Sequence, residues 1–146
     1  MVRYKKPGWF TRNVMNRVVA GLTSVGISVW GSRVLEVRGR RSGEPRRVPV
    51  NLLQLDGRQY LVAPRGETEW VRNVRAGGGA LALLVGRRRE ERVATEVADA
   101  DKVDILRAYL RRWKAEVGIF FAGVDANADD AAILAIAPNH PVFVLS

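Results

Sequence analysis

The sequence predicts an α+β fold in which a mostly antiparallel sheet or small β-barrel is flanked by helices. Three observations favour it: a strong hairpin signal near the middle of the chain, several other short β-prone runs, and helical segments on both sides of them. Strands and helices alternate too irregularly for a doubly wound parallel sheet. With 146 residues, 47% of them hydrophobic, the chain is expected to form a single domain over residues 1–146.

The hairpin is predicted over residues 46–55 and 58–63. Both runs are β-prone and apolar, and Asp56-Gly57 joins them. Both of these turn residues tolerate the positive φ that a two-residue type I′ turn requires. Pro49 lies within the first run and has no amide hydrogen to donate, so we expect it at a strand start, an edge or a bulge.

The other elements are predicted from hydrophobic period and from the positions of glycine and proline. Phe10, Val14, Val18 and Leu22 recur every four residues, which predicts an amphipathic helix over about residues 8–22. Thr68 is a suitable N-cap for a short helix that ends at three consecutive glycines. The remaining pattern predicts strands at residues 33–39, 80–85, 88–97 and 141–145, and helices at 99–117 and 128–136.

The net charge of +9 is concentrated at the start of the chain. Residues 1–50 hold eleven Lys and Arg, with only Glu36 and Glu44 as acids. Twenty of the 24 basic residues are arginine, whose planar guanidinium suits phosphate and carboxylate groups. The charge therefore predicts an anionic partner, and by sign alone a phosphorylated cofactor, a nucleic acid and an anionic membrane face all qualify.

The residue types argue against several common chemistries. The chain has no cysteine, and His140 is its one histidine. Thiolate catalysis, disulfides, Cys/His zinc sites and Ser–His machinery within one chain are therefore not expected, and no metal is predicted. His140 precedes a proline and is interpreted as a turn residue. We assign no general acid or base, and a redox cofactor needs none, because its ring transfers the hydride.

Two loops are candidate binding sites. The connection from residue 39 to 47 combines four guanidinium groups with backbone N–H groups and a hydroxyl, which is a good phosphate cradle, although the same composition fits a solvated basic turn. Its members are Gly39, Arg40, Arg41, Ser42, Gly43, Arg46 and Arg47. The second loop is Ala63-Pro64-Arg65-Gly66, and it would add to the same anion site if the two loops are close, since a helix follows at Thr68.

Aromatic residues on the predicted helices have two interpretations. Trp70 and Asn73 are three residues apart and are able to face a ring and its polar edge, although a tryptophan is more often a core residue. Tyr109 and Trp113 lie on the apolar stripe of the long helix and are interpreted as packing residues.

Residues 39–50 resemble a known family signature. Their sequence, Gly-Arg-Arg-Ser-Gly-Glu-Pro-Arg-Arg-Val-Pro-Val, is similar to the Gly-Arg-Lys/Arg-Ser/Thr-Gly-x-x-Arg-x-x-Pro signature of the deazaflavin-dependent nitroreductases, a family of actinobacterial oxidoreductases. The similarity extends from about Arg33 to Leu145 and includes the Asp56-Gly57 hairpin, the second loop, Trp70-x-x-Asn73 and the His140–Phe143 ending. It implies a split β-barrel related to flavin mononucleotide (FMN)-binding oxidoreductases.

The resemblance also implies roles for individual residues. The phosphate and acidic tail of a deazaflavin, coenzyme F-420, would be held by Arg40, Arg41, Ser42, Gly43 and Arg46. Pro49 and Val50 would lie beside its ring, with Ala63, Pro64, Arg65 and Gly66 on the other side, and Trp70 and Asn73 would support that second loop. FMN is the second choice of cofactor.

The function expected on this basis is a deazaflavin-dependent oxidoreductase that transfers hydride to a small apolar, quinone or nitro-type substrate. The alternative is a non-catalytic split barrel that binds a flavin, haem or lipid. No nucleic acid is expected, because aromatic stacking platforms are not interleaved with the basic loops. A cytoplasmic location and a homodimer are expected. The helix at 8–22 has three open placements: packed on the barrel, as a lid, or in peripheral contact with a membrane.

Overall fold

The computed structural model describes residues 32–146, apart from the side chains of residues 32, 114–117 and 119. The helix predicted over residues 8–22 lies outside the described residues. Six strands are present: β1 (Ser32–Arg38), β2 (Pro45–Leu55), β3 (Arg58–Val62), β4 (Ala80–Val85), β5 (Arg88–Glu96) and β6 (Val142–Leu145). The helices of the described part are α1 (Glu69–Ala76), α2 (Val103–Val117) and α3 (Asp130–Ile136).

The strands form a closed antiparallel barrel in the order β1-β2-β3-β6-β5-β4, which confirms the predicted α+β split barrel. Closure depends on the two longest strands, because each changes partner along its length. β2 pairs with β1 as far as Asn51 and with β3 from Leu52 onward. β5 pairs with β4 as far as Val93 and with β6 from Ala94 onward. The barrel is therefore made of two sheets that share β2 and β5.

The predicted central hairpin is confirmed. Asp56 and Gly57 have φ of 51° and 77°, and Leu55 pairs with Arg58 across the turn. Pro49 lies inside β2 opposite Val34, before the point where pairing with β3 begins. That stretch of β2 has β1 on one side only, so the prediction that proline needs a strand edge agrees with the register.

Two hydrophobic cores lie on opposite faces of the barrel wall. Alternate residues of β2, such as Val50 and Leu52, point into the barrel, whereas Leu53 points out toward α2. The outer core contains Tyr109 and Trp113, which are 1% and 2% exposed, so their interpretation as packing residues is confirmed. Burying side chains of this size contributes about 2–3 kcal/mol each.

Helix α1 is held against the barrel interior by one face. Val71 and Val74, three residues apart, are completely buried and belong to the inner core. The Trp70 ring also packs on that core, 5.9 Å from the Phe143 ring. The polar residues Glu69 and Asn73 are therefore carried to the barrel wall at a fixed position.

The last of the three glycines that follow α1 has a steric basis. Gly79 has a φ of 92°, and a β-carbon at this position would overlap the carbonyl oxygen of Ala94. Its amide also donates to Val74 O at 2.9 Å, and Ala94 N donates back to Gly79 O at 2.8 Å. The chain therefore passes directly against β5 as it enters β4.

We predict that Gly79→Ala lowers the free energy of unfolding by at least about 3 kcal/mol, because it adds both backbone strain and overlap with Ala94. Gly78→Ala is the matched control. Gly78 also has a positive φ, 67°, but its β-carbon would contact nothing within 4 Å, so only the conformational cost of about 1–2 kcal/mol remains. Urea denaturation measures both, and equal losses would contradict the proposed overlap.

Candidate functional site

The connection of residues 39–47, called the first arginine loop from here on, is joined to helix α1 through the buried side-chain carboxamide of Asn73. Asn73 is 5% exposed, and its Oδ1 accepts from the backbone N–H of Arg40 at 3.0 Å and from Arg40 Nη1 at 2.9 Å. Arg40 Nη1 also lies 2.7 Å from Glu69 Oε2. Two segments 33 residues apart are thus fixed together. Asn73 contacts the first loop, whereas the resemblance implied that it supports the second.

The first loop is held by its own hydrogen bonds. Gly39 N donates to Glu44 O at 2.8 Å, Gly43 N donates to Gly39 O at 2.9 Å, and Glu44 N donates to Ser42 Oγ at 3.2 Å. A β-carbon on Gly39 would lie 2.9 Å from Ser42 Oγ, and Gly43 has a φ of 73°. Both signature glycines are therefore required by the shape of the turn.

The register of β1 and β2 sorts the arginines onto two faces. Arg46 is paired with the interior residue Val37, so its side chain leaves β2 on the inner face. Arg47 is paired with Glu36 on the outer face, where Arg47 Nε lies 2.9 Å from Glu36 Oε2. Arg41 and Arg46 are exposed at the loop. Arg46 and Arg47 therefore leave β2 on opposite faces of the barrel wall.

The carboxylate of Glu69 lies where the charges of several arginines come together. Its hydrogen bond from Arg40 holds the pKa of Glu69 below its usual value, and the charges of Arg40, Arg72 and Arg41 lower this pKa further. Arg72 was not singled out in the sequence. The signal was available, because residues three apart on a helix are neighbours and Arg72 follows Glu69 by three.

The second loop is anchored to the strand end of β6. Ala63 is 1% exposed and its amide donates to Pro141 O at 2.8 Å. Gly66 has a φ of 89°, and its amide donates to Ala63 O at 3.2 Å. The Arg65 guanidinium carbon lies 5.6 Å from the centre of the Phe120 ring. Pro64 is half-buried between Ala63 and Arg65.

Thr68 precedes α1 as predicted, but its hydroxyl does not cap the helix. The oxygen Oγ1 is buried and has no hydrogen-bond partner among the described residues. Its backbone amide donates to Gly66 O at 2.9 Å instead. The helix start is therefore fixed by the turn at Gly66, and the predicted side-chain cap is wrong.

His140 supports the second loop from below. Its ring is 4% exposed and stacks on Phe121, with centroids 4.1 Å apart and planes 16° apart. The backbone of Ala63 and Pro64 lies beside the ring and acts against the effect of burial on its pKa. Nδ1 is buried and has no hydrogen-bond partner among the described residues. Burial lowers the pKa of His140 from 6.5 to about 4, so the ring is neutral at pH 7.

Pro49 and Val50 point to opposite faces of the wall. Val50 is 8% exposed and lies in the inner core, and Pro49 is half-buried on the outer face with Val34. Arg33, the register partner of Val50, lines a cavity of about 580 Å³ between β2 and α2. The rest of its lining consists of Leu52, Leu53, Gln54, Ala108, Arg111 and Arg112.

Within residues 32–146, no helix is long and apolar enough to cross a membrane. No group of three or more His, Asp or Glu side chains in the same range is arranged to hold a metal ion.

The depressed pKa of His140 predicts a pH dependence of stability. An unfolded histidine takes up a proton near pH 6.5, whereas the folded ring resists protonation down to about pH 4. The stability is therefore complete above pH 6.5 and falls as the pH drops from 6.5 toward 4, by up to about 3 kcal/mol.

Urea denaturation between pH 7 and pH 5 measures this loss, and His140→Phe is expected to abolish it while lowering stability at pH 7. The pKa values of Glu36, Glu67 and Glu69 are lowered from the usual 4.5. Their effect on stability therefore falls below that pH, outside this window. A wild-type stability that is constant from pH 7 to pH 5 would overturn the assignment.

Comparison with solved structures gives the same fold. A protein described as a domain-swapped dimer superposes with a TM-score of 0.59 at 17% identity, covering 97% of this chain and 100% of that one. An F420-H2 dependent reductase, FDR-A, gives 0.53 at 18% identity, covering 80% and 94%. General Stress Protein 26 from Bacillus anthracis str. Sterne gives 0.51 at 14% identity, covering 79% and 78%.

No curated protein matches the chain. The sequence profile of the family described as F420H(2)-dependent quinone reductase matches residues 9–127, which is most of the chain. The match includes both arginine loops, α1 and the barrel strands up to β5, and it confirms the resemblance inferred from residues 39–50. The chain therefore belongs to the F420H(2)-dependent quinone reductase family and is an oxidoreductase that uses the deazaflavin coenzyme F-420.

Proposed function

We propose that this enzyme holds the phosphate and acidic tail of coenzyme F-420 on the first arginine loop and reduces a quinone. The observation that carries the proposal is the convergence of Arg40, Arg41 and Arg72 on the Glu69 carboxylate. That carboxylate marks a position at the protein surface where an anion is attracted by three guanidinium groups. A phosphate ester and a glutamate tail offer the same kind of group.

The donors of the loop fit a phosphate. The side chains of Arg41 and Arg46 are exposed. The backbone at Gly43 is uncovered, because glycine has no side chain and no other atom lies within 4 Å of its β-carbon position. Ser42 adds a hydroxyl beside them, although Ser42 Oγ also accepts from Glu44 N. Arg40 is already bonded to Asn73, so its part is to fix the loop and supply charge from one side.

The second loop completes the proposed site. The four residues of this loop follow β3 and come shortly before α1: Ala63, Pro64, Arg65 and Gly66. The turn at Gly66 is therefore close to the start of α1, the helix that bonds to the first loop. His140 lies beside the backbone of Ala63 and Pro64, and the Phe120 ring contacts the Arg65 side chain. Trp70 packs behind it on the inner core.

The ring of the cofactor is proposed to lie along β2 toward Pro49 and Val50. These residues follow Arg46 by three and four positions, a distance of about 10–13 Å along an extended strand. The cavity is lined by Arg33, which is the register partner of Val50. Its apolar lining residues, Leu52, Leu53 and Ala108, suit an apolar substrate.

The reduced deazaflavin, when bound, supplies a hydride to the substrate. The chain's residues bind, orient and exclude water. His140 is not proposed as the proton donor, because its ring is buried and neutral at pH 7. A quinone is proposed as the substrate from the family's description, and a nitro compound is the second candidate.

A homodimer in the cytoplasm is also proposed. The dimer is supported by the similar structure that is described as a domain-swapped dimer. Light scattering on the purified chain distinguishes a dimer from a monomer.

The cofactor site is tested by fluorescence titration with coenzyme F-420 and, separately, with FMN. We predict that the Arg41→Ala, Arg46→Ala double variant binds coenzyme F-420 about a hundredfold more weakly, because two charge-assisted hydrogen bonds are lost. Steady-state reduction of a soluble quinone and of a nitroaromatic compound by the reduced cofactor then compares the two substrate classes.

The matched control is Arg58→Ala, Arg87→Ala, which removes two exposed arginines from the hairpin turns between β2 and β3 and between β4 and β5. This control should bind like the wild type. Equal weakening in both double variants would mean that only overall charge matters. Tighter binding of FMN than of coenzyme F-420 would overturn the cofactor assignment.

A further inference from the structure

Glu69 lies in the proposed anion site. Its carboxylate carries the same negative charge as the ligand and would exclude that ligand while it stays there. Its Oε2 lies 2.7 Å from Arg40 Nη1, and its side chain is 75% exposed, whereas that of Arg40 is 20% exposed. Arg41 and Arg72 act on the same carboxylate. An acid is thus bound where the loop chemistry is suited to binding a phosphate or a cofactor carboxylate.

Glu69 is not needed to hold Arg40 in place. The Asn73 carboxamide oxygen accepts from both the backbone N–H and Nη1 of Arg40, and Asn73 is itself a buried residue of α1. Removal of Glu69 therefore leaves the loop anchored and the guanidinium oriented. The exposed Glu69 side chain, at the first residue of α1, has free space in which to turn away.

The neighbouring acid behaves differently. Glu67 Oε1 lies 2.7 Å from Arg75 Nη1, and Arg75 also bonds to Glu96 on β5. This group ties the second loop and α1 to the barrel, and Arg40 is not among its contacts. Of the two acids in this segment, Glu69 is the one that faces the arginine loop.

We infer that Glu69 is an internal competitor for the cofactor: its carboxylate occupies the anion position beside Arg40 in the ligand-free protein and is displaced when the cofactor's anionic group binds. This inference rests on the proposed cofactor site. Because the ion pair must open first, the apparent affinity is the intrinsic affinity multiplied by the fraction of open molecules. Glu69 therefore sets how strongly the site binds anions.

The test is a titration of coenzyme F-420, and of inorganic phosphate as a competitor, against wild type, Glu69→Gln and Glu67→Gln. Glu69→Gln is expected to bind both about three- to fivefold more tightly at low ionic strength, the range set by a partly exposed ion pair. The gain should shrink toward none as salt is raised, because salt screens the internal pair. Glu67→Gln carries the same charge change, but Arg72 is the one arginine of the site whose charge acts on Glu67, so its gain is expected to be clearly smaller.

A double-mutant cycle with Arg40→Ala separates competition from simple charge. If Glu69 acts through Arg40, most of the gain from Glu69→Gln is lost in the Arg40→Ala background. Equal gains in Glu69→Gln and Glu67→Gln, or a gain that is unchanged without Arg40, would overturn the inference.

The outcomes also separate this inference from the proposed function. Wild-type binding that depends on Arg41 and Arg46 but is not improved by Glu69→Gln overturns the competitor role and leaves the cofactor site standing. Failure of the wild type and of Glu69→Gln to bind coenzyme F-420 overturns the proposed site itself.

Discussion

The hydrogen bonds of the Asn73 carboxamide to Arg40 are the contact on which the candidate site depends. A buried amide that lost this partner would be left with an unsatisfied acceptor, so the loop conformation and the helix position stabilise each other. Helix α1 is fixed in turn by Val71 and Val74, which are fully buried in the barrel's inner core. Hydrophobic packing thus determines where the charged loop stands.

The arginines of this chain have different roles because strand alternation places them on different faces. Arg46 leaves β2 on the inner face, near the anion site, while Arg47 leaves on the outer face and bonds to Glu36. Arg89 reaches the same carboxylate diagonally across β4, at 2.5 Å, because Glu36 is paired with Ala82 and Arg89 with Leu84 two residues farther along. The hydrogen bonds from these two arginines, that of Arg89 foremost, keep the pKa of Glu36 below its usual value although it is 8% exposed. Arginine side chains therefore contribute both to the proposed anion site and to a network of structural ion pairs.

The second loop is shaped by neutral contacts from the end of the chain. His140 is stacked on Phe121 and lies beside the backbone of Ala63 and Pro64, and Pro141 O accepts from Ala63 N. A neutral imidazole suits this position because a charged ring would be desolvated there. The loop beside the proposed cofactor site is therefore supported by a histidine that is neutral at pH 7.

The sequence by itself determined the local features: the hairpin at Asp56-Gly57, the short helix ended by glycines, the packing role of Tyr109 and Trp113, and the signature at residues 39–50 that identified the family. Each rests on neighbours within a few residues, where backbone preference and hydrophobic period decide the outcome. Only the tertiary structure decided that Asn73 bonds to the first loop, that Glu69 pairs with Arg40 near the charges of Arg41 and Arg72, and that His140 is buried. These depend on contacts between segments that are distant in the chain, and closure of the barrel by β2 and β5 brings those segments together.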